Sequence, residues 1–300
     1  MKACCFWIAL FCCVSGTARH SVYHSSGGTI AYYSVIPAAP KALVVALHGC
    51  KLTPTDFESG TRLSAWARRE NFGVVYPEQP ETRNPLRCWN WFLPANQGRS
   101  GEAARIAALT RYLARKYSLS RDHLYVVGIS AGGAMTAILA ACYSDLFASA
   151  AIHSAPGFMA AKDAVSAGKV LEQGNGKSEQ EMAALVRQCR GRRRDIPVLV
   201  IHGSDDTRVV LSVGKQAAGQ FRVANGLADM VTATEVCSEA GRSCSLDWYG
   251  SQNVGWMLVS GLGHAWSGGG SAPYSDPAGP DVTRKILEFW GLLAVHGSGR

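Results

Sequence analysis

The sequence contains no His-Glu-x-x-His and no Cys-x-x-Cys, the spacings that gather metal ligands on one helix face or in one knuckle. No metal and no other cofactor is expected. No repeat period and no long linker appear, which argues against solenoids and strings of small modules. Beyond the N-terminus no stretch is apolar enough to span a bilayer. Charge is sparse at 17% of residues, and its basic excess (30 Lys and Arg against 22 Asp and Glu, formally +8) is spread along the chain. One dense run exists, "RGRRR" from Arg190 to Arg194, just before a predicted strand. It reads as a solvated loop, and no nucleic-acid partner is expected.

What is present points to one large α/β domain, since 300 residues that are 47% hydrophobic supply a substantial core. The N-terminus stands apart. Lys2, the apolar run "ACCFWIALFCCV" and the small residues of "SGTA" form the pattern of a secretory leader over residues 1–18, leaving 19–300 as the exported chain. The leader carries Cys4, Cys5, Cys12 and Cys13; Cys50, Cys88, Cys142, Cys189, Cys237 and Cys244 remain. An even number in an exported chain predicts disulfides, although the count does not fix their pairing. Cys237 and Cys244 flank the polar turn "SEAGRS", where a local bridge is expected.

Continuous apolar runs ending near glycine alternate with helical patterns. "KALVVALHG", "GVVYP", "HLYVVGIS", "ASAAIHSAP", "PVLVIHG" and "NVGWMLVSG" read as buried strands. "DFESGTRLSAWARRENF", "GEAARIAALTRYLARKY", "AGGAMTAILAACY" and "DVTRKILEFWGLLA" read as helices, and 162–194 as a helical excursion beside the sheet. The alternation predicts a mainly parallel sheet with helices on both faces, in a single domain.

Gly128-Ile129-Ser130-Ala131-Gly132 fits G-x-S-x-G and falls between a predicted strand and a predicted helix. A tight turn there lifts the serine hydroxyl above the sheet, with free helix N–H groups beside it for an oxyanion. A serine nucleophile needs a base, and the base an orienting carboxylate, in the chain order Ser, Asp or Glu, His. Past "PVLVIHG" lie Asp205 and Asp206, which spacing does not separate. Of the eight histidines, His264 alone follows the acidic pair in a glycine-rich loop after a strand; His20, His24, His123, His153, His202 and His296 have the wrong order or setting. "LHGC", Leu47 to Cys50, ends an early strand where the second oxyanion amide is expected, so the backbone N–H groups of Cys50 and Ala131 are the candidates. His48 fits a structural role. A non-catalytic binding protein on a dead hydrolase scaffold would lack a member of this set, and none is missing.

"LVVALHGC", "GTRLSAWARRENFGVVYPEQ", "RCWNWF", "LYVVGISAGGAM", "HGSDD" and "GLGHAWSGG…DPAGPD" together resemble the poly(3-hydroxybutyrate) depolymerase family of esterases over nearly all of the exported chain. The resemblance implies an α/β-hydrolase fold, Ser130 as nucleophile, His264 as base and Asp206, rather than Asp205, as the acid. It implies a polyester or small ester as substrate, and relatives in the wider family cleave feruloyl and acetyl esters of plant polysaccharides. Extracellular depolymerases of crystalline polymer generally carry a further polymer-binding domain. None is expected here, because the chain runs only briefly beyond Trp290.

The loop "RCWNWF" takes its expected role from this setting. Cys88 would pair with Cys50, tying the loop to the oxyanion rim, and Cys142 with Cys189 would be left as the third pair. Trp89 and Trp91 would then form one wall of an ester-binding cleft, with Trp266 opposite.

Overall fold

Val, Leu, Ile and Tyr fill five- and six-residue runs that are buried at every position, as strands covered on both faces require. The computed structural model describes residues 17–191 and 194–293. The expected leader lies outside them except for Thr17 and Ala18, which open the first strand. One sheet of ten strands contains β1 (Thr17–Ser25), β2 (Gly28–Ile36), β3 (Leu43–Leu47), β4 (Gly73–Pro77), β5 (Leu124–Ile129), β6 (Ser149–His153), β7 (Val198–Gly203), β8 (Ala233–Glu239), β9 (Arg242–Tyr249) and β10 (Val254–Val259). Their order is β1-β2-β4-β3-β5-β6-β7-β10-β9-β8. From β4 to β10 all neighbours are parallel; antiparallel hairpins complete both edges.

Strand alternation sends Val45 and Leu47 to one face, Val44 and Ala46 to the other. The first face packs on α3 (Gly101–Lys116), α4 (Ala131–Cys142), α5 (Ala164–Gln173), α6 (Glu179–Arg190) and α7 (Leu211–Ala224). The second packs on α1 (Pro54–Thr61), α2 (Leu63–Glu70) and α8 (Val282–Phe289). This is the expected α/β architecture, and α5 and α6 are the helical excursion.

Several details depart from the sequence reading. The helix expected from Asp56 onward breaks at Arg62, whose φ is 55°. At the break the carbonyls of Gly60 and Thr61 accept from outside the helix, from the Gly270 N–H at 2.9 Å and the Thr283 hydroxyl at 2.7 Å. Helix α7 contains Gly214 and Gly219, which weaken its signature. A Cβ on Gly214 would lie 2.2 Å from His202 Nδ1, and one on Gly219 would lie on the Glu179 carboxylate. The "RGRRR" run is not simply solvated. Buried Arg190 donates to Ala224 O and Asn225 Oδ1 and pairs with Asp195 at 2.8 Å, while Arg194 donates to Ser144 O and Phe147 O. Arg192 and Arg193 lie outside the described residues.

Three disulfides join Cys50 to Cys88, Cys142 to Cys189 and Cys237 to Cys244, the pairing anticipated from the sequence. The first ties the end of β3 to the "RCWNWF" loop. The second joins α4 to α6, and the third closes the β8–β9 hairpin. No helix among the described residues is long and apolar enough to cross a membrane.

Three histidines are sealed at the carboxyl ends of the strands: His48, His153 and His202. His48 donates from Nδ1 to Gly49 O at 2.8 Å and accepts the Gln79 N–H at Nε2, so a second ring proton would face a donor. Burial above all holds its pKa down at about 4, that of His153 at about 3, and that of His202 below its ordinary value. An unfolded chain protonates these rings near 6.5, while the folded one resists until much lower. Their stabilising contribution is therefore complete above about pH 6.5 and is lost as the pH falls toward about 4. Tm followed by circular dichroism should turn down as the pH drops below about 6.5; a flat Tm down to about pH 4 would contradict this account.

Candidate active site

The turn from β5 into α4 is built by close approach. A Cβ on Gly128 would lie 2.4 Å from the Gly132 carbonyl, and one on Gly132 would lie 2.1 Å from Leu47 O. Only glycine at both positions lets α4 cross so near the ends of β3 and β5. Between them Ser130 adopts φ 56° and ψ −124°, a conformation costing about 1–3 kcal/mol for a non-glycine residue. It is held by its own N–H on His153 O at 3.0 Å and by its carbonyl, which accepts the Ala134 N–H at 2.9 Å. The side chain is left half-buried at the floor of a cleft of about 430 Å³.

Asp206 and His264 reach the same region from loops after β7 and β10. His264 Nδ1 lies 2.7 Å from Asp206 Oδ2, and the other carboxylate oxygen accepts the N–H groups of Arg208 and Val209 at 3.0 and 2.9 Å. Burial disfavours the charged carboxylate, but the His264 hydrogen bond and charge, the Val209 amide and His202 outweigh it, so its pKa is lowered. Since Nδ1 engages the carboxylate, the proton belongs there and Nε2 is left as the acceptor. Asp205 is exposed and accepts the Ser204 hydroxyl at 2.7 Å instead. The two neighbours that spacing did not separate are thus distinguished by geometry. His202, which the sequence did not single out for the site, donates from Nε2 to Val209 O at 2.8 Å and lies 3.6 Å from Asp206 Oδ2. It steadies the turn that carries Asp206; its only sequence signal is its place in "VIHGSDD".

Cys50 lines the cleft beside Ser130. Its loop is fixed from three directions: the bridge to Cys88, the Lys51 N–H on Leu86 O at 2.7 Å, and the His48 clamp on Gly49. A Cβ on Gly49 would come within 3.4 Å of Ser130 Cβ, so the loop passes directly against the serine. Ala131 begins α4, whose first-turn N–H groups have no partner within the helix. The Cys50 loop and the first turn of α4 therefore both adjoin the serine, the two places from which an oxyanion would need its donors.

The tryptophans are a correction. Trp89, Trp91 and Trp266 are 1%, 5% and 1% exposed, and none lines the cleft. Trp89 packs near the His48 ring, and Trp266 stacks on His153 at 5.1 Å, meets Phe57 edge-on and donates to the Thr283 hydroxyl. Burying so much apolar area gains more than exposing it beside a substrate, so these rings support the loops from beneath. Asn90 rather than the rings anchors "RCWNWF": its N–H and its Nδ2 reach the buried Glu102 carboxylate at 2.8 and 2.7 Å. Glu102 also accepts Gln79 Nε2, which in turn donates to Cys88 O. The cleft wall is instead Leu52, Leu86, Ile129, Leu171, Val209 and Tyr274. Among the described residues no group of three or more His, Cys, Asp or Glu side chains converges as metal ligands would.

Comparison with known proteins identifies the family. The family model described as "Esterase PHB depolymerase" matches residues 31–242. Poly(3-hydroxyalkanoate) depolymerase C of Paucimonas lemoignei is 29% identical over 250 residues, 81% of this chain and 60% of that protein. The chain therefore spans less than two thirds of that relative's length. Feruloyl esterase B of Neurospora crassa is 29% identical over 283 residues, covering 90% of each chain. The solved acetyl xylan esterase from Aspergillus awamori superposes with a TM-score of 0.78 at 18% identity, over 93% of this chain and 100% of that one. With the matched family model covering most of the sheet, the chain belongs to the esterase PHB depolymerase family and is a carboxylic ester hydrolase with an α/β-hydrolase fold.

Proposed function

We propose that this esterase is secreted and works through Ser130, His264 and Asp206 on poly(3-hydroxybutyrate)-type polyesters or their oligomers. Ser130 Oγ attacks the ester carbonyl while His264 Nε2 takes its proton. The amides of Cys50 and Ala131 receive the oxyanion, and the imidazolium, held by Asp206, protonates the leaving alcohol. Water, deprotonated by the same ring, then releases the acid from the acyl-enzyme. The observation that carries this reading is the 2.7 Å contact of His264 with Asp206, in the cleft that also exposes Ser130. The apolar wall of Leu52, Leu86, Ile129 and Leu171 suits an aliphatic acyl chain, and three disulfides suit an oxidising compartment. A second reading, a feruloyl or acetyl esterase acting on polysaccharide, is favoured by the alignment that covers 90% of feruloyl esterase B.

Replacing Ser130→Ala should lower kcat on a short acyl ester by more than about 10³-fold with the circular dichroism spectrum unchanged; substantial residual turnover would sink the mechanism. Asp206→Asn should cost about 10³- to 10⁴-fold in kcat, whereas Asp205→Asn should stay close to the parent enzyme. The reverse pattern would reassign the acid. On a panel of amorphous and crystalline polyhydroxybutyrate, its dimer and trimer, methyl ferulate and acetylated xylan, hydroxybutyrate release should dominate. Faster release of ferulate or acetate would favour the second reading.

A further inference from the structure

Arg208 lines the cleft together with Ser130 and His264 and enters no ion pair among the described residues. Its guanidinium carbon lies 5.6 Å from the centroid of the Tyr274 ring. The same ring meets His264 edge-on, with centroids 6.3 Å apart. Tyr274 thus carries the arginine on one part of its surface and the histidine on another. The Arg208 backbone is fixed by its N–H on Asp206 Oδ1, while the side chain is exposed to whatever enters.

The chemistry decides which part of a substrate meets this cation. His264 must deliver its proton to the leaving oxygen, while the carbonyl oxygen turns toward Cys50 and Ala131. The alcohol portion of the ester therefore lies on the side of His264, Tyr274 and Arg208. An alkyl alcohol offers a guanidinium nothing, whereas an alcohol bearing a carboxylate offers a planar, two-oxygen partner. The other charged groups at the cleft do not supply that partner. Glu172 is exposed on α5, Lys51 stands on the Cys50 loop, Asp205 accepts from Ser204, and Asp206 faces His264.

We infer that Arg208, seated on Tyr274, binds the carboxylate of a hydroxy-acid leaving group, so that the enzyme prefers ester bonds next to a free carboxyl chain end. The inference rests on the ester hydrolysis by Ser130 and His264 proposed above and names the substrate class of that site. In the step it serves, the bond between acyl carbon and alcohol oxygen breaks and the acyl group passes to Ser130 Oγ. The serine proton travels through His264 to the departing hydroxyl, and the hydroxy acid leaves with its carboxylate still ionised.

The test is competition against p-nitrophenyl acetate hydrolysis by the 3-hydroxybutyrate trimer, as free acid and as methyl ester. The free acid should compete about tenfold more tightly than the methyl ester. That ratio should fall to about one in Arg208→Gln, survive largely in Arg208→Lys, and shrink between about 0.1 M and about 1 M salt. Because the readout is a ratio within each variant, a general loss of activity cancels. Equal competition by the two forms, no competition by either, or a ratio that persists in Arg208→Gln would each overturn the inference. Trimer cleavage is followed in parallel. An uncleaved trimer that still competes with acid preference counts against the polyester reading and leaves the arginine subsite standing. A cleaved trimer without acid preference does the reverse.

Discussion

Helix α4 crosses the ends of β3 and β5 so closely that a single added carbon on Gly132 would fall 2.1 Å from the carbonyl of Leu47, and most of the site is a consequence of that crossing. Bringing the helix this near leaves no room for an ordinary strand-to-helix connection, so Ser130 takes a left-handed φ and projects from the sheet edge. It also sets the unpartnered amides of the first helical turn beside the loop that follows β3. The strain at the serine persists because the backbone around it is over-determined, with His153 O holding its N–H and α4 using its carbonyl. A looser crossing would relax the serine and separate the two sets of donors in one movement.

Around that turn, the buried polar groups serve as spacers and clamps. His48, His153 and His202 occupy strand ends where a purely apolar side chain could not bind the adjoining loops. His48 holds Gly49 and Gln79, and His202 holds Val209. The Glu102 carboxylate takes three donors from Asn90 and Gln79 and so fixes the aromatic loop against β4 and α3. Glu102 has its carboxylate oxygens paired and His48 has both ring nitrogens paired, which keeps their burial cheap, whereas His153 and His202 each leave one ring nitrogen buried without a partner and remain neutral there.

The sequence made the central strands and the serine turn legible because both follow from strong local rules: continuous apolar runs for strands buried on two faces, and glycine where backbones touch. It was silent where tertiary contact overrides local signal. Strand β8 is exposed almost throughout, so it lacks alternation and is known by its pairing with β9. The break at Arg62, two residues after Gly60, coincides with hydrogen bonds from Gly270 and Thr283, more than 200 positions away, that no local pattern announces. The tryptophans misled for a related reason. Composition marked Trp89 and Trp91 as unusual on a loop, but whether a ring faces solvent or the core depends on what lies beneath, and here His48 and the helical layer do. Nothing in the spacing separates Asp206 from Asp205; the fold does, turning Asp206 to His264 and Asp205 to Ser204.

The two sides of the cleft are built to different standards of rigidity, and this bears on how such a site combines fixed chemistry with variable recognition. The Cys50 side is cross-linked covalently to Cys88 and further pinned by backbone and histidine hydrogen bonds. Donors to a developing charge, the role proposed for the Cys50 side, are effective only if they need not reorganise, and rigidity suits that role. The opposite side comprises Leu171 and Glu172 at the end of α5, together with Thr207 and Arg208. A backbone bond from Val210 to Leu171 O joins its two parts, and several of its side chains are exposed. Those residues can change without disturbing Ser130, His264 or the backbone amides that hold Asp206. In the proposed mechanism, substrate choice would therefore fall to exposed side chains on the α5 and Thr207–Arg208 side, while the β3–α4 side would contribute Ser130 and fixed backbone donors.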